Sequence, residues 1–279
     1  MRILPFTFFL LSLTSSFQLW SQSIDELKLA YAEERFEWVV EQTSEATTAE
    51  EFLLHADAHH KLGQFEQAME AYQLAEQKGM NSFDFFMNRG ICAFSLGQFE
   101  QMRNDLLEAK SIREDARIPY YFGAMAYLEE QHKQAANYLK DAIDLDPTYM
   151  EAHYLLGAVY LEQNKNLSAE LAFIKCIELR PDFHQSKINL ALAYIEQFKF
   201  QEALEVLERI IESAEKTALA DAYYQQGVCR YQMHDSVGAC ESWTQAAALG
   251  DEDATKHVAT ICEGKQRKLR RRKTVHMEF

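Results

Sequence analysis

The stretch MEAHYLLGAVYLEQNKNLSAELAFIKCIELRPDF, residues Met150–Phe183, decides how this chain folds. Apolar residues recur at helical spacing in both halves, which predicts two helices joined by a short turn. Gly157 and Ala169 are small enough to let the two helices approach closely, and Tyr160 and Phe173 fill the space around that contact. One helical hairpin cannot bury its apolar face alone, so the stretch predicts neighbours of the same kind.

Such neighbours are present along most of the chain. The turn sequence Leu-Gly-Gln-Phe at Leu62–Phe65 returns at Leu96–Phe99, thirty-four residues later. Nearly every unit carries a small residue in its first helix, another early in its second helix, and a large apolar residue four positions further on. Within residues 23–250 the predicted units are 24–48, which is degenerate, 49–82, 83–115, 116–149, 150–183, 184–219 and 220–250, and a capping helix is predicted over 251–264.

These units resemble tetratricopeptide repeats, whose pattern is an aromatic residue, Leu-Gly, Tyr, Ala, Phe, Ala and Pro. The resemblance is most faithful in Met150–Phe183. Two features of the sequence depart from the pattern. Proline occurs in the expected place only at Pro147 and Pro181, and Met102 replaces a small residue. The resemblance implies an all-α fold, a right-handed superhelical solenoid whose first helices line a concave groove.

A partner-binding groove is therefore expected on the first helix of each unit, at residues turned by about 100° from the packing positions. Tyrosine is favoured in such surfaces because it packs and forms hydrogen bonds at once. The alternative is that some of these side chains pack between neighbouring repeats. The predicted groove residues are Asn88, Ile91, Phe94, Tyr120, Tyr121, Tyr127, Tyr154, Leu161, Ile188, Asn189, Ile195, Tyr224 and Tyr231. Some relatives hold a peptide carboxylate with lysine–asparagine pairs, but Asn88 and Asn189 lack matching lysines here.

The composition, 48% hydrophobic and 25% charged, is that of a folded protein. A net charge of −15 disfavours nucleic acid as a partner. The five cysteines, an odd number in a long chain, do not indicate a disulfide framework. Buried thiols are the expectation, and a disulfide between Cys229 and Cys240 is left open because these residues fall on the two helices of one hairpin.

Both ends of the chain differ from the repeats. Residues 1–22 have one basic residue, the apolar run Ile3–Leu13 and Ser21 before a suitable cleavage site, which predicts a secretory signal peptide. The residue pattern resembles exported proteins of Gram-negative bacteria, so a periplasmic or envelope-associated protein is expected. An uncleaved segment would instead tether the protein to the membrane.

The carboxyl-terminal stretch 265–279 is predicted to be a basic, disordered tail. Three interpretations stay open for its charges: a solubilising end, a contact with anionic lipid or an acidic partner, or a contact with the protein's own acidic body. The basic residues are Lys265, Arg267, Lys268, Arg270, Arg271, Arg272 and Lys273.

The sequence contains no recognisable catalytic motif, so no enzymatic activity, catalytic residue or cofactor is expected. His55 and His59 lie four residues apart on one predicted helix, but no third ligand is placed beside them, and no metal site is predicted. The predicted function is a non-catalytic scaffold that binds a peptide segment or helix of another protein. The alternatives are a membrane-tethered adaptor and an accessory or sensor subunit of an envelope enzyme, and the oligomeric state stays undetermined.

Overall fold

The computed structural model of the protein describes residues 24–213 and 216–263. These residues form fifteen α-helices and one π-helical turn and contain no β-strand, which confirms the all-α fold. The predicted signal peptide at 1–22 and the basic tail at 265–279 lie outside the described residues.

The helices belong to two compact units, of which the first ends at Leu96 and the second begins at Gly97. The first unit contains α1 (Ile24–Ala32), α2 (Phe36–Gln42), α3 (Ala49–Lys61), α4 (Phe65–Gln77) and α5 (Phe83–Ser95). The second unit contains α6 (Phe99–Ile112), α7 (Arg117–Leu128), α8 (His132–Leu145), α9 (Met150–Glu162), α10 (Asn166–Leu179), α11 (His184–Ile195), α12 (Phe200–Ser213), α13 (Lys216–Gln232), α14 (Ser236–Ala248), α15 (Glu252–His257) and the π-helical turn Val258–Cys262.

One backbone device recurs in the short turns that follow α1, α3, α5, α7, α9, α11 and α13. Each turn contains one residue with a left-handed backbone, at φ values between 55° and 72°. Only two of these positions are glycine, so the turn is set by the repeat rather than by glycine's conformational freedom. The residues are Glu34, Gly63, Gly97, Glu130, Asn164, Phe198 and His234.

The predicted close approach within residues 150–183 is confirmed by the packing of α9 on α10. A methyl group added to Gly157 would lie 2.6 Å from Cε1 of Phe173, and Ala169 is fully buried in the same hairpin. The contact recurs in the hairpin of α13 and α14, where a methyl group on Gly227 would lie 2.5 Å from the indole of Trp243. Glycine in the first helix is therefore what allows a large side chain of the second helix to be buried.

The end of the second unit contains a covalent link that the sequence did not predict. Cys240 on α14 forms a disulfide with Cys262 of the π-helical turn, with a Cα–Cα distance of 5.7 Å. The pairing considered for Cys229 and Cys240 is therefore wrong. Cys229 is buried in the apolar cluster that contains Leu207, whereas Cys240 packs against the cluster that contains Trp243 and Cys262. The expectation of buried thiols holds for Cys92, Cys176 and Cys229.

Candidate functional site

In the second unit, the first helices of successive hairpins are α7, α9, α11 and α13, and neighbouring members contact each other. We call the residues predicted for the groove on these four helices the A-face. Most of them are half-buried, and Tyr231 is 39% exposed. The A-face consists of Tyr120, Tyr121, Tyr127, Tyr154, Leu161, Asn189, Ile195, Tyr224 and Tyr231.

Ile188 was predicted for this surface, and its placement there is wrong. The side chain is 3% exposed and packs in an apolar cluster with Ala191, Leu207 and Ala222. Its neighbour Asn189, about 100° further around the helix, is half-buried. The surface of α11 is therefore defined by Asn189 and not by Ile188.

The aromatic rings at the start of the A-face contact one another. The Tyr120 ring lies 5.1 Å from Tyr121 and 5.0 Å from Tyr149, the residue that precedes α9. Burial raises the pKa of Tyr121 to about 12, with a smaller contribution from Tyr120. The Tyr121 hydroxyl therefore stays protonated well above neutral pH.

Tyr154 combines packing with surface exposure. Its ring lies 5.2 Å from Phe183 and 6.0 Å from Phe173, and its hydroxyl accepts a hydrogen bond from the Asn189 side chain at 3.2 Å. This tyrosine joins α9 to α11. The expectation that some groove residues pack between repeats therefore applies to Tyr154. Tyr127 and Tyr224 are also half-buried and pack against apolar clusters.

In the first unit, the predicted groove residues Asn88, Ile91 and Phe94 lie half-buried on α5. Asn88 donates a hydrogen bond to Asp57 at 3.1 Å, and the hydroxyl of Tyr72 donates to the same carboxylate oxygen at 2.6 Å. Burial raises the pKa of Asp57 to about 6, against the opposing effect of these two hydrogen bonds. Asn88 is thus already engaged in holding a buried carboxylate.

A concave feature that the sequence analysis missed lies among α6, α7 and α8. We call it the B-cavity; its volume is about 470 Å³, within the range of ligand sites. Leu107 and Leu145 line it and are 52% and 49% exposed. These two outward-facing leucines are the sequence feature that could have indicated the cavity. The lining residues are Arg103, Leu107, Lys110, Glu114, Asp115, Ile118, Pro119, Phe122, Tyr138, Asp141, Asp144 and Leu145.

Metal sites and membrane spans are two further classes of feature to consider in this fold. Within residues 24–213 and 216–263, no group of three or more His, Cys, Asp or Glu side chains is arranged to hold a metal ion. No helix in this part of the chain is long and apolar enough to span a bilayer.

Comparison with known protein families agrees with the architecture. A family model described as TPR repeat matches residues 123–164, and one described as tetratricopeptide repeat matches residues 52–77, 151–183 and 184–217. The chain therefore contains tetratricopeptide repeats, as the sequence pattern predicted.

Individual relatives match only part of this chain. The human protein O-mannosyl-transferase TMTC3 is 26% identical over 149 residues, which are 52% of this chain and 16% of that protein. The peroxisomal targeting signal receptor of Candida albicans is 33% identical over 95 residues, 33% of this chain and 16% of the receptor. The matched region thus spans about a sixth of the length of each of these curated relatives.

Among solved structures, the C-terminal part of a TPR repeat-containing protein from Cytophaga hutchinsonii has the same fold. Its TM-score is 0.64 at 18% identity, and the match covers 84% of this chain and 98% of that one. At this identity the likeness is one of fold.

Proposed function

We propose that this protein is a non-catalytic scaffold that binds a peptide segment or helix of a partner protein on the A-face. The observation that carries the proposal is the set of half-buried tyrosines on α7, α9 and α13, three of the four neighbouring first helices of the second unit. Such rings supply contact area at low conformational cost, and their hydroxyl groups fix the orientation of a ligand. The name of the Candida relative, a targeting signal receptor, is consistent with recognition of a peptide.

We propose further that the protein is exported and works in the periplasm or at the cell envelope of a Gram-negative bacterium. The secretory pattern of residues 1–22 supports this location. The disulfide between Cys240 and Cys262 supports it independently, because disulfides persist in oxidising compartments and are rare in the cytosol. A membrane-tethered adaptor is the alternative, and amino-terminal sequencing of the mature chain separates the two.

A specific observation favours the B-cavity as a second binding site. Its α6 wall carries Arg103 and Lys110, and its α8 wall carries Asp141 and Asp144. An amphipathic helix with apolar residues on one face and opposite charges along its two edges would complement this arrangement.

The test is an affinity capture from envelope extract with three forms of the protein. Tyr127→Ala combined with Tyr224→Ala removes two half-buried A-face rings, and Leu107→Ala combined with Leu145→Ala removes two of the apolar side chains that line the B-cavity. We expect a partner that is bound by the wild type and the B-cavity variant and lost by the A-face variant. Loss only in the B-cavity variant would move the site to the other face, and retention by both variants would refute both surfaces. Thermal melts check that each variant is folded.

A further inference from the structure

Two histidines on α3 face each other in an arrangement that the sequence spacing alone does not reveal. The Nε2 atoms of His55 and His59 lie 3.1 Å apart, and the two rings are nearly perpendicular, with an interplanar angle of 83°. The helix that carries them is fixed at its start by a capping box. The Glu51 N–H donates to the Thr48 hydroxyl, and the Thr48 N–H donates to the Glu51 carboxylate.

The other nitrogen of each ring is already engaged. The Thr43 hydroxyl donates its hydrogen to the Val39 carbonyl at 2.6 Å, so it accepts a hydrogen bond from the Nδ1–H of His55 at 2.7 Å. On the second ring, the side-chain Oε1 of Gln64 accepts from the Nδ1–H of His59 at 2.5 Å. A neutral imidazole carries one hydrogen, and in both rings that hydrogen is on Nδ1. The two Nε2 atoms therefore present lone pairs to each other.

Two lone pairs at this separation are stabilised by a positive charge between them, which a metal ion or a shared proton supplies. We propose that His55 and His59 bind a late first-row divalent metal ion of the class Zn²⁺, Cu²⁺ or Ni²⁺, which imidazole ligands favour. With metal–nitrogen bonds of about 2.0–2.1 Å, the separation of 3.1 Å gives an N–metal–N angle of about 100°, close to the tetrahedral value. The distance between the ring nitrogens thus fits one shared ion.

The surroundings of the pair match those of metal-binding histidines. Such histidines donate their second N–H to an oxygen, which fixes the tautomer and the ring orientation, and Thr43 and Gln64 have this role here. No third protein ligand completes the site within the described residues, so water or an oxygen ligand from a partner fills the remaining positions. The net charge of −15 favours a bound cation over an anion.

The test is isothermal titration calorimetry of the whole mature chain, with any affinity tag removed, using zinc chloride and then copper and nickel chloride at pH 7.5. We expect one equivalent of metal to bind to the wild type. His59→Gln and, separately, His55→Gln should weaken binding at least tenfold. His60→Gln is the matched control, because His60 lies on the same helix with its ring 5.6 Å from Phe65 and outside the pair. It should leave binding unchanged.

Gln64 provides a second readout that a structural role would not produce. Gln64→Ala should weaken zinc binding by about tenfold, because it removes the oxygen that fixes His59, whereas Gln64→Glu supplies a stronger acceptor and should tighten it. His59→Gln keeps the test valid if His55→Gln does not fold. Metal bound equally by wild type and His59→Gln would overturn the proposal. It would also be overturned if the wild type bound no metal and nuclear magnetic resonance showed a proton shared by the two rings.

Discussion

The hairpin of α9 and α10 in the interior of the second unit and the hairpin of α13 and α14 at its end solve the same packing problem. In the first, Gly157 faces Phe173, and in the second, Gly227 faces Trp243. Two further helices cover the interior hairpin: α8 contacts α9, and α11 contacts α10. The last hairpin is followed by the short α15 and the π-helical turn, and the disulfide joins Cys262 of that turn to Cys240 of α14.

The difference lies in what covers the two hairpins within the described residues. The last described hairpin is covered by a short helical segment instead of a further hairpin. The ring of His257, the last residue of α15, has its centroid 4.7 Å from that of Trp243, and Trp243 is 1% exposed. A helix of six residues has little stability of its own. The disulfide therefore helps to hold this short helical segment against α14.

The largest effect is expected where the two hairpins are alike. Gly157→Leu and Gly227→Leu should each lower the free energy of unfolding by about 3 kcal/mol, because a side chain at either position overlaps the ring of Phe173 or Trp243. Urea denaturation measures this change. The double variant Gly157→Leu with Phe173→Ala should recover part of the loss, since the obstructing ring is removed. An unchanged midpoint for Gly157→Leu would refute the close contact.

Breaking the disulfide should destabilise the last hairpin and leave the interior hairpin unchanged. By the chain-entropy estimate, a loop of 22 residues contributes about 3 kcal/mol. Cys240→Ser with Cys262→Ser should therefore speed hydrogen exchange in α14 and α15 while leaving α9 and α10 unchanged. A reducing agent should reproduce the effect in the wild type and add nothing in the double variant. Equal acceleration in α9 would show that the cap stabilises the whole unit instead.

The same comparison explains what the sequence was able to predict. Gly157, Phe173 and their equivalents were predictable because the contact lies within one repeat and returns with its period. The disulfide was missed because Cys262 lies beyond the repeats, where periodicity gives no register. Cys229 and Cys240 sit on facing helices, but Cys229 points into the cluster of Leu207 and Cys240 towards the cap. The rotation of α14 about its own axis therefore decides whether Cys240 pairs with Cys229 or with Cys262.

The candidate sites divide in a similar way. The A-face followed from helical spacing, which placed its tyrosines on the first helices but assigned Ile188 to the surface instead of the core. The B-cavity depends on the separation of α6 from α8, which no local pattern encodes. The histidine pair was visible as a spacing, but its chemistry depends on Thr43 and Gln64, which lie on either side of α3 in sequence. Contacts between residues that are far apart in the sequence were what could not be predicted.

The smallest expected effect distinguishes the turns of the two hairpins. Asn164 and His234 both have left-handed backbones, with φ values of 55° and 66°. Asparagine tolerates this conformation and histidine less so, whereas glycine adopts it without steric cost. His234→Gly should therefore raise the free energy of unfolding by about 0.5–1 kcal/mol, and Asn164→Gly by less. Thermal melts of the two variants measure the difference, with His234→Ala as the control that removes the side chain but keeps the steric cost. A gain from His234→Ala equal to that from His234→Gly would show that the imidazole itself, and not the backbone conformation, destabilises the last turn.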